Sequence, residues 1–94
     1  MAYRLSYGTV RESSRRAIHV VRVLDEILEL SELNEIAERM RERLQHRGEL
    51  TADIVVVQGD SQETLRLLGI PYSVGRVRAA MFNAALRWSP IELD

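Results

Sequence analysis

The most distinctive hydrophobic segment of the chain is the run Ile54-Val55-Val56-Val57, which lies between Asp53 and Gln58. A strand with one face in water alternates apolar with polar residues, whereas this run is apolar and β-branched throughout. The run therefore predicts an internal strand at about residues 52–58, with both of its faces covered by other parts of the fold.

A second strand is predicted near the start of the chain. Tyr3, Leu5 and Tyr7 alternate with polar residues, which is typical of a half-buried strand. This strand is expected to end near residues 8–10. Two interpretations of its tyrosines stay open: they pack in a core or interface, or they line a small pocket.

Residues 13–47 show helical periodicity in two parts. At about 100° per residue, the apolar stripe of the first half lies roughly 150° around the helix from that of the second half. This phase change predicts two helices, at 13–29 and 32–47, with Ser31 as the N-cap of the second. The alternative is one long helix whose two halves are buried by different molecules.

Charge placement fits the second of these helices better than the first. The second helix has acidic residues in its first turn and arginines in its last, as the helix dipole favours, and Gly48 follows as a stop. The first helix begins with Arg15 and Arg16 and ends with acidic residues, which is the opposite arrangement. Local preferences therefore oppose a helix at 13–29, and a partner or a neighbouring segment would have to stabilise it.

Two more helices are predicted after the hydrophobic strand. Asp60 or Ser61 caps a short helix that Gly69 ends, and the residues around Pro71 are extended because a residue before proline avoids the α region. Ser73 then caps the last helix, whose apolar stripe continues to Trp88.

These elements describe one small domain, residues 1–94, of the α/β or α+β class. The predicted order is β-α-α-β-α-α, with Ile91–Leu93 as an additional short C-terminal strand, and the helices pack on a small sheet. A two-stranded sheet is marginal in water unless other elements pack on it. The sequence therefore predicts that edge strands or a second copy of the chain complete the core, with a C2 dimer as the commonest closed arrangement.

Composition narrows the class of protein further. The chain has 94 residues, of which 46% are hydrophobic and 29% charged, and it has no cysteine. These values are ordinary for a globular domain, and they exclude disulfides and thiolate metal sites. The first residues lack the pattern of a signal peptide, and no apolar run is long enough to span a bilayer. We expect a cytoplasmic protein with no membrane partner and no cofactor.

The charges are segregated along the chain, although the net charge is only −1. All thirteen basic residues are arginines. Residues 25–38 are acidic, and residues 66–87 are basic without an acid. Blocks of this kind pair within a fold, are solvated, or pair across an interface.

Residues 61–86 resemble a helix-turn-helix in outline, which raises the possibility of nucleic-acid binding. The arginines that would contact DNA or RNA are Arg66, Arg76, Arg78 and Arg87. Two observations oppose this interpretation. Leu65 stands where such a motif usually has a small residue, and the chain lacks a clear basic footprint. The alternative is two core-packing helices with solvated arginines.

A second basic group is predicted on the first helix. Arg15, His19 and Arg22 are spaced i, i+4 and i+7, so they would form one stripe on a helix, and Arg11 is a candidate neighbour just before them. The stripe is a candidate site for an anion or for the acidic surface of a partner. The alternative is a solvated polar face.

No catalytic or metal-binding motif is recognisable. His19 and His46 are the only histidines, and their spacing matches no metal-ligand pattern. The leading hypothesis is therefore a non-catalytic, homo-oligomeric interaction or regulatory module. Nucleic-acid binding is the first alternative. A small-molecule binder or enzyme is the second, and it requires a convergent polar cleft that only a structure can show.

Overall fold

The computed structural model describes residues 3–24, 27–49, 53–59, 65–83 and 86–93. Within these residues the chain forms five strands and two helices. In chain order they are β1 (Leu5–Arg11), β2 (Ala17–Val23), α1 (Leu30–His46), β3 (Asp53–Gln58), β4 (Arg66–Leu68), α2 (Pro71–Phe82) and β5 (Ser89–Ile91). The strands form one mixed sheet in the order β4-β3-β2-β1-β5. The expected α+β class is confirmed, but the order is β-β-α-β-β-α-β rather than β-α-α-β-α-α.

The sheet has a parallel centre and antiparallel edges. Strands β2 and β3 run parallel, and α1 is the helix of the connection between them. Strand β1 pairs antiparallel with both β2 and β5, and β4 pairs antiparallel with β3. Both edge strands have only three residues, and Pro90 lies in β5. Short edge strands and an edge proline oppose extension of the sheet by another chain.

One helix covers each face of the sheet. Ile54 and Val56 of β3 pack in the same buried cluster as the apolar stripe of α1, which consists of Leu33, Ile36, Met40 and Leu44. Val55 and Val57 point to the other face and pack with Val77 of α2. The prediction for the hydrophobic run is confirmed, because β3 is an internal strand buried on both faces. This one chain supplies the cover on both sides.

The predicted helix at 13–29 is wrong, and so is the alternative of one long helix through residue 47. Residues 12–16 form the turn of a β-hairpin, and Ala17–Val23 form β2 at the centre of the sheet. Val20 and Val21 are both fully buried on opposite faces, which a strand between two helical layers allows. Backbone pairing on both sides outweighs the helical spacing of these β-branched residues. The unfavourable dipole arrangement is removed with the helix.

The predicted short helix before Gly69 is also wrong where the structure describes it, because Arg66–Leu68 form β4. The capping role expected for Asp60 or Ser61 lies outside the described residues. Gly69 follows the strand and packs directly on β3, since a Cβ at this position would lie 2.8 Å from Cγ2 of Val55. The close approach of the two backbones explains a glycine here better than a helix stop does.

Both helices of the described residues begin earlier than expected. Glu29 rather than Ser31 is the N-cap of α1, and its backbone N–H donates to Oε2 of Glu32 at 2.8 Å. Pro71 occupies the first turn of α2, where its missing N–H costs nothing, so it begins the helix instead of preceding it. Ser73 is therefore the third helical residue and not a cap. No helix among the described residues is long and apolar enough to cross a membrane.

Candidate functional site

A polar cleft of about 840 Å³ lies at the end of the sheet where β2 and β3 begin. The β1–β2 hairpin forms most of its lining. Gly48 and Glu49, which follow α1, close one side, and Asp53 and Tyr72 line the other. The cleft thus lies between the carboxyl end of α1 and the amino end of α2.

His19 is the buried centre of the cleft. Only 7% of its surface is exposed, and both ring nitrogens have partners. Nε2 lies 2.9 Å from Oε2 of Glu49, and Nδ1 forms a hydrogen bond with the hydroxyl of Tyr7. The rings of Tyr7 and His19 are stacked, with centroids 5.8 Å apart. Thr9 donates a hydrogen bond to the Tyr7 hydroxyl at 3.2 Å, which extends the chain to four residues.

The strand register brings three of these side chains together. Thr9 lies directly opposite His19 in the β1–β2 ladder, and Tyr7 is two residues from Thr9. Because side chains two residues apart share a face of the sheet, all three point to the side on which α1 packs.

The turn at the C-terminus of α1 positions Glu49 against His19. Gly48 has a φ of +85°, and its backbone N–H donates to the carbonyl of Gln45 at 2.9 Å. The backbone N–H of Glu49 donates to the carbonyl of Leu44, also at 2.9 Å. These two bonds form a Schellman motif, in which a left-handed glycine turns the chain away from the helix. The turn places the carboxylate of Glu49 against the imidazole.

The environment of His19 favours its neutral form. Burial is the main reason that the pKa of His19 lies below its usual value, and the charges of Arg11 and Arg47 act in the same direction. Glu49 opposes the shift without reversing it. In the neutral ring, Nε2–H donates to the carboxylate, which can only accept, so Nδ1 accepts the proton of the Tyr7 hydroxyl.

Arg16 forms the opposite wall and is fully engaged. Its Nε and Nη2 lie 2.9 Å and 2.7 Å from Oδ2 of Asp53. The guanidinium also donates to the hydroxyl of Tyr72 and lies over that ring, 4.7 Å from its centroid. The bond to Asp53 is the main reason that the pKa of Arg16 is raised. This group joins the hairpin to β3 and α2, so its role is to shape the cleft.

Two further arginines at the cleft have no such partner. Arg11 and Arg15 are exposed, and neither forms a side-chain ion pair within the described part of the chain. Arg15 lies in the hairpin turn, where its backbone N–H donates to Oγ of Ser13 at 3.3 Å. Ser13 therefore stabilises the turn. The two guanidiniums are the positive charges of the cleft that remain available to a ligand.

The structure brings together two of the three residues of the predicted basic stripe. Arg15 and His19 line the cleft, but Arg22 lies on the opposite face of the sheet. Its guanidinium is 5.7 Å from the ring centroid of Trp88 and donates to the carbonyl of Gly59 at 3.4 Å. The helical spacing fails because residues 19 and 22 of a strand point to opposite faces.

The four arginines predicted to contact nucleic acid are spread over different parts of the fold. Arg66 lies in β4 and donates to the carbonyl of Leu28 at 2.8 Å, on the side of α1. Arg76 and Arg78 lie on α2, which covers the other face, and Arg87 precedes β5. A strand at Arg66 also removes the first helix of the expected helix-turn-helix arrangement. Nucleic-acid binding as such stays a prediction.

Sequence reasoning missed much of the cleft. It offers Tyr7 as a pocket residue and Arg11 as a possible neighbour of the basic stripe, but Thr9, Glu49 and Asp53 carry no local signal. The useful clue was Gly48, because a glycine stop fixes the direction of the residue that follows it. Among the described residues, no group of three or more histidine, aspartate or glutamate side chains is arranged to hold a metal ion. The chain matches no known protein family, no curated protein and no solved structure.

Proposed function

We propose that this protein binds a small anionic molecule in the cleft between the ends of α1 and α2. One observation carries the proposal: the exposed guanidiniums of Arg11 and Arg15 lie at the same polar cleft as the buried His19. The cleft volume, about 840 Å³, falls within the range of about 300–1,000 Å³ that is usual for small-molecule sites.

The charge balance of the lining favours an anion over a cation. The two carboxylates of the lining are already engaged, Glu49 with His19 and Asp53 with Arg16. Arg11 and Arg15 have no comparable partner within the described residues, so an anion gains charge-assisted hydrogen bonds without breaking existing pairs. A phosphate or carboxylate group fits these donors.

Calorimetric titration with inorganic phosphate, sulfate and succinate tests the proposal. We expect saturable binding of at least one of these probes, weakened by salt as exposed charges require. Arg15→Gln should weaken binding by about tenfold, because a hydrogen bond to a charged group contributes about 1.5–3 kcal/mol. Arg41→Gln is the matched control, since Arg41 is an exposed arginine on α1 that pairs with Glu38. No binding of any probe at low salt, or an equal effect of both variants, would contradict the proposal.

A protein-interaction role is a second candidate, supported by three exposed apolar side chains near the connection from β2 to α1. Leu24, Ile27 and Leu30 are 43%, 74% and 56% exposed. Exposed apolar residues that are close in sequence suit an interaction surface if they lie together on the fold. The homo-oligomer hypothesis therefore stays a proposal, although β3 needs no second copy to cover it. Light scattering at micromolar concentration tests it, and a clean monomer would exclude it. The same measurement with added DNA and RNA at low salt tests nucleic-acid binding.

A further inference from the structure

We propose that the cleft is a hydrolytic active site for phosphate monoesters, in which Tyr7 is the nucleophile, His19 the general base and Glu49 the residue that positions His19. This inference rests on the proposed anion-binding function of the same cleft. Its basis is the continuous hydrogen-bonded chain from Glu49 through His19 to Tyr7.

The three residues have the mutual geometry of a nucleophile, a base and an orienting carboxylate. Such a group requires one hydrogen bond from nucleophile to base and another from base to carboxylate. Both bonds are present, on the two different nitrogens of one ring. The bond to Glu49 fixes the proton on Nε2, which leaves the lone pair of Nδ1 to accept the proton of the Tyr7 hydroxyl. His19 has the neutral form that a base requires, because burial keeps its pKa low.

The surroundings of the Tyr7 hydroxyl suit a developing negative charge. Thr9 donates a hydrogen bond to this oxygen at 3.2 Å, which stabilises the phenolate as the proton leaves. Tyr7 is half-buried and is part of the cleft lining, so the inference places its oxygen in reach of a bound ligand.

The substrate class follows from the charges that share the cleft with Tyr7. Arg11 and Arg15 can hold the non-bridging oxygens of a phosphoryl group, where phosphoryl transfer requires positive charge. A second role for Arg16 is less suitable, because Asp53 and Tyr72 already occupy its donors.

The reaction balances with water as the only co-reactant. The oxygen of Tyr7 attacks phosphorus, its proton passes to Nδ1 of His19, and the bond from phosphorus to the ester oxygen breaks. The leaving alkoxide departs on the side opposite Tyr7, takes a proton from water and leaves as an alcohol, while His19 keeps the proton as imidazolium. Hydroxide from that water attacks the phosphotyrosyl group from the vacated side, the bond from phosphorus to Tyr7 breaks, and inorganic phosphate leaves. The imidazolium returns its proton to the Tyr7 oxygen, which restores both residues.

Hydrolysis of p-nitrophenyl phosphate by the full chain tests this inference. We expect release of nitrophenolate, and a transient gain of one phosphoryl group on Tyr7 that peptide mass spectrometry detects. Tyr7→Phe should abolish both signals, whereas Tyr3→Phe should leave both unchanged, because Tyr3 precedes β1 and packs on the same apolar cluster as Tyr7 but is not part of the cleft lining. His19→Gln should lower the rate by about 100-fold or more, the usual contribution of a general base.

Glu49 has its own test, because a positioning residue differs from a merely structural one. Glu49→Gln should lower kcat and displace the pH profile of the rate, and Glu49→Asp should restore part of the rate. An unchanged pH profile in a folded, phosphate-binding Glu49→Gln variant would overturn the positioning role.

Failure of the inference can be told apart from failure of the proposed function. Wild-type protein that binds phosphate in the calorimeter but releases no nitrophenolate and forms no adduct would overturn the catalytic inference and leave anion binding intact. Turnover that persists in Tyr7→Phe would also overturn it. If Tyr7→Phe does not fold, Thr9→Val replaces it, with a reduced rate expected and an unchanged rate counting against the inference.

Discussion

Shortening single valine side chains of β3 to alanine tests whether one chain covers both faces of this hydrophobic strand. Val55 packs on the side of α2 and Val56 on the side of α1, and both are fully buried. Each substitution to alanine deletes two methyl groups, at about 0.8 kcal/mol each. With a cavity contribution of about 1 kcal/mol, each variant should lose about 2.5 kcal/mol of unfolding free energy. In a domain of this size the loss lowers Tm by about 10–20 °C.

Urea denaturation of Val55→Ala and Val56→Ala measures the two losses separately. Ile27→Ala is the control, because this larger side chain is 74% exposed and its truncation should change stability by no more than about 0.5 kcal/mol. The denaturation midpoint of the wild type should not depend on protein concentration. A midpoint that rises with concentration would show that a second copy supplies part of the cover. A loss below about 0.5 kcal/mol for either valine would show that its face is not packed.

Three further predictions concern single positions. Gly69→Ala should lower the free energy of unfolding by about 1–3 kcal/mol in the same assay, because its Cβ would lie 2.8 Å from Cγ2 of Val55 and one of the two segments must move. An unchanged free energy of unfolding would contradict that close approach. Gly48→Ala should lower the free energy of unfolding by about 1–2 kcal/mol, because its φ of +85° is unfavourable for a residue with a side chain. It should also weaken phosphate binding, because it displaces Glu49. Unchanged stability would refute the left-handed conformation at the end of α1. Burial lowers the pKa of His19 in the folded chain, so the unfolded chain binds the proton at a higher pH than the folded chain does. The contribution of His19 to stability is therefore complete above pH 6.5 and declines as the pH falls towards the pKa of the folded state. His19→Gln should lose this part of the pH dependence, and an identical profile in both proteins would rule out the assignment.

Much of the fold could be predicted from local patterns. The β-branched run of β3 identified an internal strand, because four consecutive apolar residues would expose apolar side chains in a sheet with one face in water. The apolar stripe and charge distribution of α1 identified that helix to within two residues, and Gly48 marked its end. In each case the signal lies within a few neighbouring residues, so it can be recognised from the local sequence alone.

The candidate site could not be predicted in the same way. Tyr7, His19 and Glu49 come from two strands and the loop after a helix, and no spacing along the chain relates them. The helical spacing of Arg15, His19 and Arg22 suggested a different group, which the strand register divides between two faces. Only pairing of β1 with β2, and packing of α1 on the sheet, places the carboxylate and the hydroxyl on one imidazole.

The sequence by itself determined that β3 is internal, that α1 is a helix, and where α1 ends. Tertiary structure decided the state of residues 17–23, whose apolar positions fit a helix and a strand equally well. The strand prevails because it pairs with β1 and β3 and buries apolar side chains under α2 on one face and α1 on the other. The same choice determines the surroundings of His19, because hydrogen bonding between strands joins residues that the chain keeps apart.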